Sequence, residues 1–277
     1  MAADVSGWDN AGLQYELKDG VAWLRMNRPH KRNAIDRPLR TSLLAAIHEV
    51  TENIDVRAAV ITGNGGAFSS GADLTQEGGP LEVPPDRRYT GPNGPRTDGL
   101  LYGWSRLMNA IWHSEKPFLA AVNGVAAGGG CQLALACDLI LASEEATFWE
   151  IFVRRGLPLE AGGAWILPRL VSLVRAKEIA IFGEPLTAAD AEKWGMINRC
   201  VPADEFDETV RSWARRLASG HTIRIGHIKG QLNSSLESTM AATFKEEVTL
   251  LGLGGGEDSA EAIQAYIERR QPQFQGR

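Results

Sequence analysis

The stretch that most constrains this chain is Lys116 to Asp138, which reads KPFLAAVNGVAAGGGCQLALACD. The apolar run Phe118 to Val122 predicts a short strand, which ends at the turn residues Asn123-Gly124. Gly128-Gly129-Gly130 then opens the stretch Cys131 to Cys137, whose Ala and Leu content favours a helix. A strand that leads through a glycine turn into a helix directs unpaired N–H groups at one point, which attracts an anion or a polarised carbonyl oxygen. The alternative is a glycine turn that serves packing alone.

Composition excludes several classes of function. The 277 residues carry a net charge of −5, so there is no basic surface to predict a nucleic-acid partner. The three cysteines show no metal-ligand spacing and fit a reducing compartment. No secretory signal and no apolar run of membrane-spanning length is recognised. We therefore expect a cytoplasmic globular protein with no membrane partner and no metal.

The distribution of predicted elements divides the chain in two. Through residues 1–203, apolar strands alternate with helices, which favours an α/β fold built on a buried parallel sheet. One of these helices is predicted by Asp36 as its cap, Pro38 in its first turn and the apolar stripe Leu39, Leu43, Ile47 and Val50. A short helix is also predicted after the glycine turn at Gly71. From 204 to 277 only helices are predicted, beginning with an apolar stripe of Phe206, Val210, Trp213 and Leu217. Residues 77–99 lack periodicity, so we expect a functional segment without regular structure there, such as the lid of a pocket.

The glycine turn after Gly128 has a counterpart about sixty residues earlier. Taken together in their order and spacing, the motifs of this chain resemble those of the enoyl-CoA hydratase/isomerase (crotonase) superfamily. The motifs that carry the resemblance are Asn27-Arg28-Pro29, Arg32-Asn33-Ala34, Ile61-Thr62-Gly63, Ser70-Gly71-Ala72-Asp73-Leu74, Lys116-Pro117, Ala121-Val122-Asn123-Gly124, Gly128-Gly129-Gly130-Cys131-Gln132, Cys137-Asp138-Leu139, Leu186-Thr187-Ala188 and Arg269 to Phe274.

The resemblance implies a crotonase-like spiral of ββα units, with residues 1–203 as the acyl-CoA-binding core. It implies that residues 204–277 form a helical trimerisation region, in a homotrimer or in a hexamer of two trimers. It also implies an acyl-CoA substrate, so coenzyme A enters as part of the substrate and no cofactor is bound permanently. The residues expected to contact coenzyme A are Arg32, Asn33, Ala34, Gly71, Asp73, Leu74, Phe244 and Lys245.

The resemblance also assigns the group that would hold the thioester carbonyl oxygen. By position, the two donors of this oxyanion hole are the backbone N–H groups of Ala72 and Gly129. Two preorganised donors stabilise the enolate that forms when a proton leaves the acyl chain, and one such donor is worth about 2.7–4 kcal/mol.

The chain departs from the hydratases of this superfamily at two positions. Those enzymes use two glutamates to activate a water molecule, and the positions here hold Gln132 and Phe152. An amide orients water but exchanges no proton near neutral pH. We therefore do not expect hydration by the paired-glutamate route.

Two other carboxylates compete for the catalytic role. Glu160 matches the site at which dienoyl-CoA isomerases, ring-opened phenylacetyl-CoA isomerases and aroyl-CoA dehalogenases carry an aspartate, and it is our first choice. Its alternative is an acid in the first turn of a helix that starts near Ala161. Glu150, among aromatic residues, is either an exposed residue at the edge of an element or a desolvated base.

These assignments lead to one hypothesis with several alternatives. The first is an isomerase that shifts a double bond, in which Ala72 and Gly129 hold the enolate oxygen and Glu160 moves the proton. The alternatives are a hydratase-type lyase, a hydrolase of the CoA thioester or of a ring, and a non-catalytic acyl-CoA-binding protein.

Overall fold

The computed structural model describes residues 7–75, 89–91, 94–96, 103–254 and 256–277. Within these ranges the strands are β1 Leu13–Lys18, β2 Val21–Met26, β3 Ala58–Gly63, β4 Ala67–Ser69, β5 Tyr89–Gly91, β6 Gly94–Arg96, β7 Phe118–Val122, β8 Val125–Ala127, β9 Leu139–Ser143, β10 Thr147–Trp149, β11 Pro185–Thr187 and β12 Arg199–Val201. The helices are α1 Arg37–Glu52, α2 Trp104–His113, α3 Gly129–Leu135, α4 Gly163–Leu170, α5 Leu173–Phe182, α6 Ala188–Lys193, α7 Phe206–Ala218, α8 Thr222–Ser235, α9 Met240–Gly252 and α10 Gly256–Glu268. Among the described residues, no helix combines the length and the apolar character needed to cross a bilayer.

The main sheet has six strands in the order β1-β2-β3-β7-β9-β12. Its first pair is antiparallel and the later pairs are parallel. All five residues of β7 are buried, because helices cover both faces of the sheet. Leu119 and Ala121 face a cluster with α7, whereas Phe118, Ala120 and Val122 face the larger core, as the alternation of side chains along a strand requires.

A second sheet has four short strands in the order β11-β10-β8-β4. Three times along the chain, a strand of the main sheet is followed closely by a strand of this second sheet: β3 by β4, β7 by β8, and β9 by β10. The ββα units that the resemblance implies are therefore present. Their short strands place the turns that follow β4, β8 and β10 side by side.

The first long helix follows the sequence signals that predicted it. The Asp36 side chain accepts a hydrogen bond of 3.0 Å from the Leu39 N–H, which caps α1. Leu39, Leu43 and Ile47 are fully buried on one face of the helix. Local signals were sufficient to predict this helix because the cap, the proline in the first turn and the apolar stripe all indicate the same element.

The C-terminal helices differ in how they contact the core. The predicted stripe of α7 is confirmed, because Phe206 and Val210 are buried against the main sheet. In α8, the Lys229 ammonium group donates to the carbonyl oxygens of Ile111 and Lys116 and to Asp138, at 2.8–3.2 Å. In contrast, α9 has no buried residue.

Two predicted segments differ from the structure or fall outside it. The short helix predicted after Gly71 is absent through Thr75, because Asp73 accepts from the Thr75 N–H and closes a turn instead. Most of the predicted lid, residues 77–99, lies outside the described residues. The described part includes an antiparallel β5–β6 pair, so the expectation of a segment without regular structure was wrong there.

Candidate active site

The first glycine turn follows β4 and is fixed against the loop that precedes α1. The Ile35 N–H donates to the Gly71 carbonyl oxygen at 2.7 Å, and the Asp73 N–H donates to the Ile35 carbonyl oxygen at 3.1 Å. These two bonds flank Ala72, so the Ala72 N–H is not used in this parallel bridge. Ala72 itself is only partly buried. The turn therefore holds this N–H in place and leaves it available to a ligand.

The second glycine turn joins β8 to α3 and contacts the first. Gly128 has a φ of +50°, and its N–H donates to the Trp149 carbonyl oxygen at 2.8 Å. Gly129 is the first residue of α3, so its N–H is one of the helix donors without an intrahelical acceptor. A Cβ atom on Gly71 would lie 2.6 Å from the Ala127 carbonyl oxygen and 3.4 Å from the Gly129 nitrogen. The structure thus brings the two turns into direct contact.

An aromatic wall covers this junction. A Cβ atom on Gly129 would lie 2.6–2.8 Å from ring atoms of Trp104, so the indole ring packs against the glycine backbone. The Arg40 guanidinium group lies 5.7 Å from the centre of the same ring. Only a glycine at position 129 leaves room for this ring beside the first turn of α3.

A buried ion-pair network anchors the residue that follows Ala72. The Asp73 carboxylate is 2 % exposed and accepts from Arg28 and Lys31, both at 3.0 Å, and from the Thr75 hydroxyl at 2.6 Å. The Thr75 hydrogen bond, followed by those of Lys31 and Arg28, holds the pKa of Asp73 well below its usual range. Because these bonds within the turn occupy the Asp73 carboxylate, we expect residues next to Asp73, rather than its side chain, to contact coenzyme A.

The other residues expected to contact coenzyme A fall into two groups. Asn33 is fully buried, and its side chain bonds the carbonyl oxygens of Asn64 and Ala67 and the Arg28 N–H, so it has a structural task. Ala34 is also buried. The exposed residues are Arg32, Leu74, Phe244 and Lys245. The Ser70 N–H donates to the Arg32 carbonyl oxygen at 2.9 Å, so the structure brings the Arg32 and Gly71 loops together.

The structure places Gln132 next to Glu150, a contact that the sequence reasoning missed. Both residues are buried, with exposed fractions of 0 % and 1 %. The Gln132 Nε2 group donates to both carboxylate oxygens of Glu150, at 2.9 and 2.8 Å. Burial raises the pKa of Glu150 to about 7, although hydrogen bonds from Cys131 and Gln132 oppose the rise. Of the two alternatives for Glu150, the structure therefore supports the desolvated acid.

One sequence signal could have located Glu150. It directly follows β10, in which Phe148 is buried while Thr147 and Trp149 are partly exposed. Because side chains alternate between the two faces of a strand, Glu150 extends the face of Phe148 and enters the core. Phe152 is also buried, at 7 % exposure.

Glu160 lies in a different environment. Its side chain is exposed, and its carbonyl oxygen accepts from the Gly163 N–H at 2.9 Å. The helix expected to start near Ala161 begins at Gly163, because Ala161 and Gly162 adopt φ values of +52° and +84°. The alternative role of an acid in the first turn of that helix was therefore wrong. The catalytic role of Glu160 stays a prediction.

A cavity of about 730 Å³ opens between α2, α4 and α8. Trp112 and Trp165 line it and meet edge to face, with ring centres 4.8 Å apart. Gly162 and Ile166 of the α4 region also line it, next to the Gly163 backbone that contacts Gln132. Among the described residues, no group of three or more His, Cys, Asp or Glu side chains could hold a metal ion.

Comparison with known proteins gives matches over nearly the whole chain. A family model described as "Enoyl-CoA hydratase/isomerase" matches residues 16–277. A "probable enoyl-CoA hydratase" of Rhodobacter capsulatus is 37% identical over 269 residues, which covers 96% of this chain and 98% of the relative. The 1,2-epoxyphenylacetyl-CoA isomerase of Escherichia coli is 32% identical, with coverage of 94% and 97%.

The solved structures agree with these sequence matches. A structure described as a "putative enoyl-CoA hydratase" from Streptomyces coelicolor aligns with a TM-score of 0.88 and 33% identity, over 100% of this chain and 98% of that chain. This likeness confirms the fold predicted from the sequence.

Proposed function

Starting from the match over residues 16–277, by which the chain belongs to the enoyl-CoA hydratase/isomerase family, we propose that it shifts a double bond within the acyl group of a CoA thioester. The chain is an acyl-CoA-processing enzyme of this family, and the reaction type is the proposal. The observation that carries it is the contact between the Gly71 and Gly129 turns, each of which leaves a backbone N–H for a ligand.

The two N–H groups, of Ala72 and Gly129, would act on the thioester carbonyl oxygen. A base removes a proton from the acyl carbon next to the thioester, and the electron pair of that C–H bond moves onto the carbonyl oxygen. The two donors and the N-terminal end of the α3 dipole stabilise the resulting enolate. Return of the proton to a carbon further along the conjugated chain completes the shift, with no other reactant consumed.

Glu160 is proposed as the group that carries the proton. It lies in the turn that precedes α4, and the first residue of α4, Gly163, contacts Gln132. Gln132 in turn lies about one helical turn after Gly129 in α3. A single carboxylate is sufficient for this chemistry because the same group accepts and returns the proton.

Glu150 supports a second candidate, a hydratase-type lyase. Its burial and its pKa of about 7 suit a carboxyl group that exchanges protons near neutral pH. In this case Glu150, beside Gln132, would supply the carboxylate that the hydratases carry at the positions of Gln132 and Phe152. The products separate the two candidates, since a lyase adds or removes water and an isomerase does not.

The experiment uses one pair of positional isomers, 2-hexenoyl-CoA and 3-hexenoyl-CoA, incubated in D2O and followed by mass spectrometry. The wild-type protein is expected to interconvert the two and to incorporate deuterium into the acyl chain. Glu160→Gln should lower turnover by about 10²–10⁴-fold with binding retained, because the amide cannot exchange a proton.

Glu150→Gln is the matched variant, and the two variants together decide the assignment. Full turnover in Glu160→Gln, with loss in Glu150→Gln, contradicts the role of Glu160 and assigns the proton transfer to Glu150. Formation of a product heavier by one water supports the lyase. Binding without interconversion of the isomers and without deuterium uptake supports an acyl-CoA-binding protein, and release of free coenzyme A supports a hydrolase.

Self-association is part of the proposal. The helices α9 and α10 expose large apolar side chains, including Val248 at 71 %, Leu251 at 76 % and Tyr266 at 85 %. Helix faces of this kind are stable in water when they are covered. We expect a homotrimer or a hexamer in which these helices contact a second copy, and light scattering after gel filtration gives the number of subunits.

A further inference from the structure

A groove of about 420 Å³ lies between α7 and the β1–β2 pair. Trp23 lines it and packs, together with Val21, against the cluster that the main sheet forms with α7. The alternate side chains, Ala22 and Leu24, face the larger core, which also contains the buried residues of α3. Because side chains alternate along a strand, the groove lies on the face of the main sheet opposite to the candidate active site.

Cations outnumber acids among the charged side chains that line this groove. The four cations are Lys18, Arg25, Arg211 and Arg215, and the three acids are Glu16, Asp19 and Asp207. The chain as a whole carries a net charge of −5, so a local excess of positive charge stands out against its surroundings. Such an excess attracts an anionic ligand.

Two of these cations can take a further partner. Arg211 lies 3.6 Å from Asp207 and 3.7 Å from Glu208, and both distances are longer than a hydrogen bond. Lys18 has no ion pair within the described part of the chain. Arg215 lies four residues after Arg211 and therefore on the same face of α7. The groove thus offers several donors to one anion.

The direction of α7 determines which groups meet at each end of the groove. The Arg57 N–H donates to the Gly20 carbonyl oxygen at 2.8 Å, and the Arg57 guanidinium group donates to the Gly220 carbonyl oxygen at 2.6 Å. The C-terminal end of α7 therefore lies next to the turn between β1 and β2. This arrangement brings Arg215 to the same end of the groove as Lys18, which becomes the cationic end.

The opposite end of the groove offers a flat stack and an acceptor without a partner. The Arg25 guanidinium group lies 4.9 Å from the centre of the Trp23 ring, and a planar base can extend such a stack. Asn123, directly after β7, donates from Nδ2 to the Gly63 carbonyl oxygen at 2.8 Å. Its Oδ1 atom is buried and has no hydrogen-bond partner among the described residues. Buried polar atoms are almost always hydrogen-bonded, so this oxygen calls for a donor.

We propose that this groove binds an adenine mononucleotide, as an effector site separate from the acyl-CoA site. The base stacks on the Arg25 guanidinium group and donates from its exocyclic amino group to Asn123 Oδ1. The phosphate pairs with Arg211 and Lys18 at the cationic end. The volume of about 420 Å³ lies within the range of about 300–1,000 Å³ that small-molecule sites occupy.

The groove is connected to the candidate active site through two loops. Asn64 and Asn123 line the groove and begin the loops that lead from the main sheet to β4 and β8. Those two strands are followed by the turns of Gly71 and Gly128, and the bond from Asn123 to Gly63 joins the two loops. A ligand that bonds Asn123 therefore acts on both turns, which couples nucleotide binding to acyl-CoA binding.

The test is isothermal titration calorimetry with adenosine monophosphate (AMP), on the free protein and at rising concentrations of butyryl-CoA. We expect one AMP per chain to stay bound at saturating butyryl-CoA, with a limiting affinity that differs from that of the free protein by about fivefold or more. Adenosine, inorganic phosphate and inosine monophosphate (IMP) are the comparison ligands. Each should bind about tenfold more weakly than AMP, because each lacks the phosphate, the base or the amino group.

Variants at the cationic end show whether the nucleotide lies in this groove. Arg211→Gln should weaken AMP binding about tenfold and leave adenosine binding unchanged, because it removes a partner of the phosphate alone. Lys18→Gln is a second variant, expected to act in the same direction. The matched control is Arg175→Gln, which removes an exposed arginine of α5 outside the groove and should leave the AMP affinity unchanged. Circular dichroism confirms that each variant is folded.

The outcomes separate this inference from the proposed function. An AMP affinity that keeps falling as butyryl-CoA is added, without a limiting value, places the nucleotide in the acyl-CoA site and overturns the inference. Equal affinities for AMP, IMP and phosphate, or an AMP affinity that Arg211→Gln and Lys18→Gln leave unchanged, also overturn it. An AMP affinity that butyryl-CoA does not change overturns the effector role. Absence of butyryl-CoA binding contradicts the proposed function, whereas the comparison of Arg211→Gln with Arg175→Gln still tests the groove.

Discussion

Replacement of Glu150 by Gln is expected to change how the stability of the protein depends on pH. The Glu150 carboxyl group is 1 % exposed, and burial, which penalises its ionised form, is the main cause of its raised pKa. The unfolded chain exposes the same group to water and restores its ordinary pKa. The folded protein therefore binds this proton more tightly than the unfolded chain, whereas a Gln at this position binds none.

The size of the effect follows from the two pKa values. A rise from 4.5 to about 7 corresponds to about 3 kcal/mol, at about 1.4 kcal/mol for each unit. The stabilisation is complete below pH 4.5 and is lost as the pH rises through about 7. Relative to Glu150→Gln, the wild-type protein should therefore lose about 3 kcal/mol of unfolding free energy between pH 4.5 and pH 8.5.

Urea denaturation of both proteins at half-unit steps of pH measures this difference directly, at one fixed protein concentration. Glu160→Gln is the matched control, because it removes one carboxyl group from an exposed position. If the difference between wild type and Glu150→Gln stayed constant across this range, Glu150 would have the same pKa in the folded and unfolded states and the expected shift would be absent.

Two further replacements test the packing around the site. Gly163→Ala places a methyl group against the Gln132 amide, so it should cost about 1–3 kcal/mol of unfolding free energy and lower turnover. The control is Gly230→Ala in α8, where an added Cβ atom would meet no neighbouring element within 4 Å among the described residues, so it should stabilise by up to about 1 kcal/mol. Thermal unfolding and steady-state kinetics compare the pair, and equal behaviour would contradict the contact. Asp73→Asn removes the carboxylate that Arg28 and Lys31 share, while Asp36 still pairs with Arg28 at 3.1 Å, so the loss of charged hydrogen bonds should cost about 1.5–3 kcal/mol in urea denaturation. Because the pKa of Asp73 is lowered on folding, this cost should shrink as the pH falls below 3.8, and a constant cost would argue against the ion pair.

The elements that could be predicted from the sequence are those fixed by short-range signals. In α1, the cap at Asp36 and the apolar stripe are read from neighbouring residues, and both are confirmed. The strand before Asn123 and the helix after Gly128 are confirmed for the same reason. The α/β class follows because strands and helices alternate along the chain.

The contact between Gln132 and Glu150 could not be predicted in this way, because it depends on strand register. It requires β10 to lie parallel to β8 with Trp149 opposite Ala127, so that Glu150 ends beside α3. These residues are far apart in sequence, and no local pattern specifies which pair of strands is adjacent. The sequence could predict only that Glu150 lies on the buried face of β10, because side chains alternate along the strand and Phe148 lies on that face.

The start of α4 was misplaced for a conformational reason. Alanine favours helix and rarely adopts a positive φ, so the sequence suggested that the helix begins at Ala161. In the structure, Ala161 has a φ of +52°. Tertiary packing overrides that preference and delays the helix to Gly163. Glu160 thereby lies in an exposed turn rather than on a helix, which a propensity argument does not anticipate.

We propose that Ala72 and Gly129 hold the thioester oxygen, and a crystal structure with a non-reactive acyl-CoA analogue would show the contact itself. We expect the thioester carbonyl oxygen at about 2.7–3.1 Å from the backbone nitrogens of both residues. A carbonyl oxygen bound elsewhere, or against only one of the two nitrogens, would contradict it.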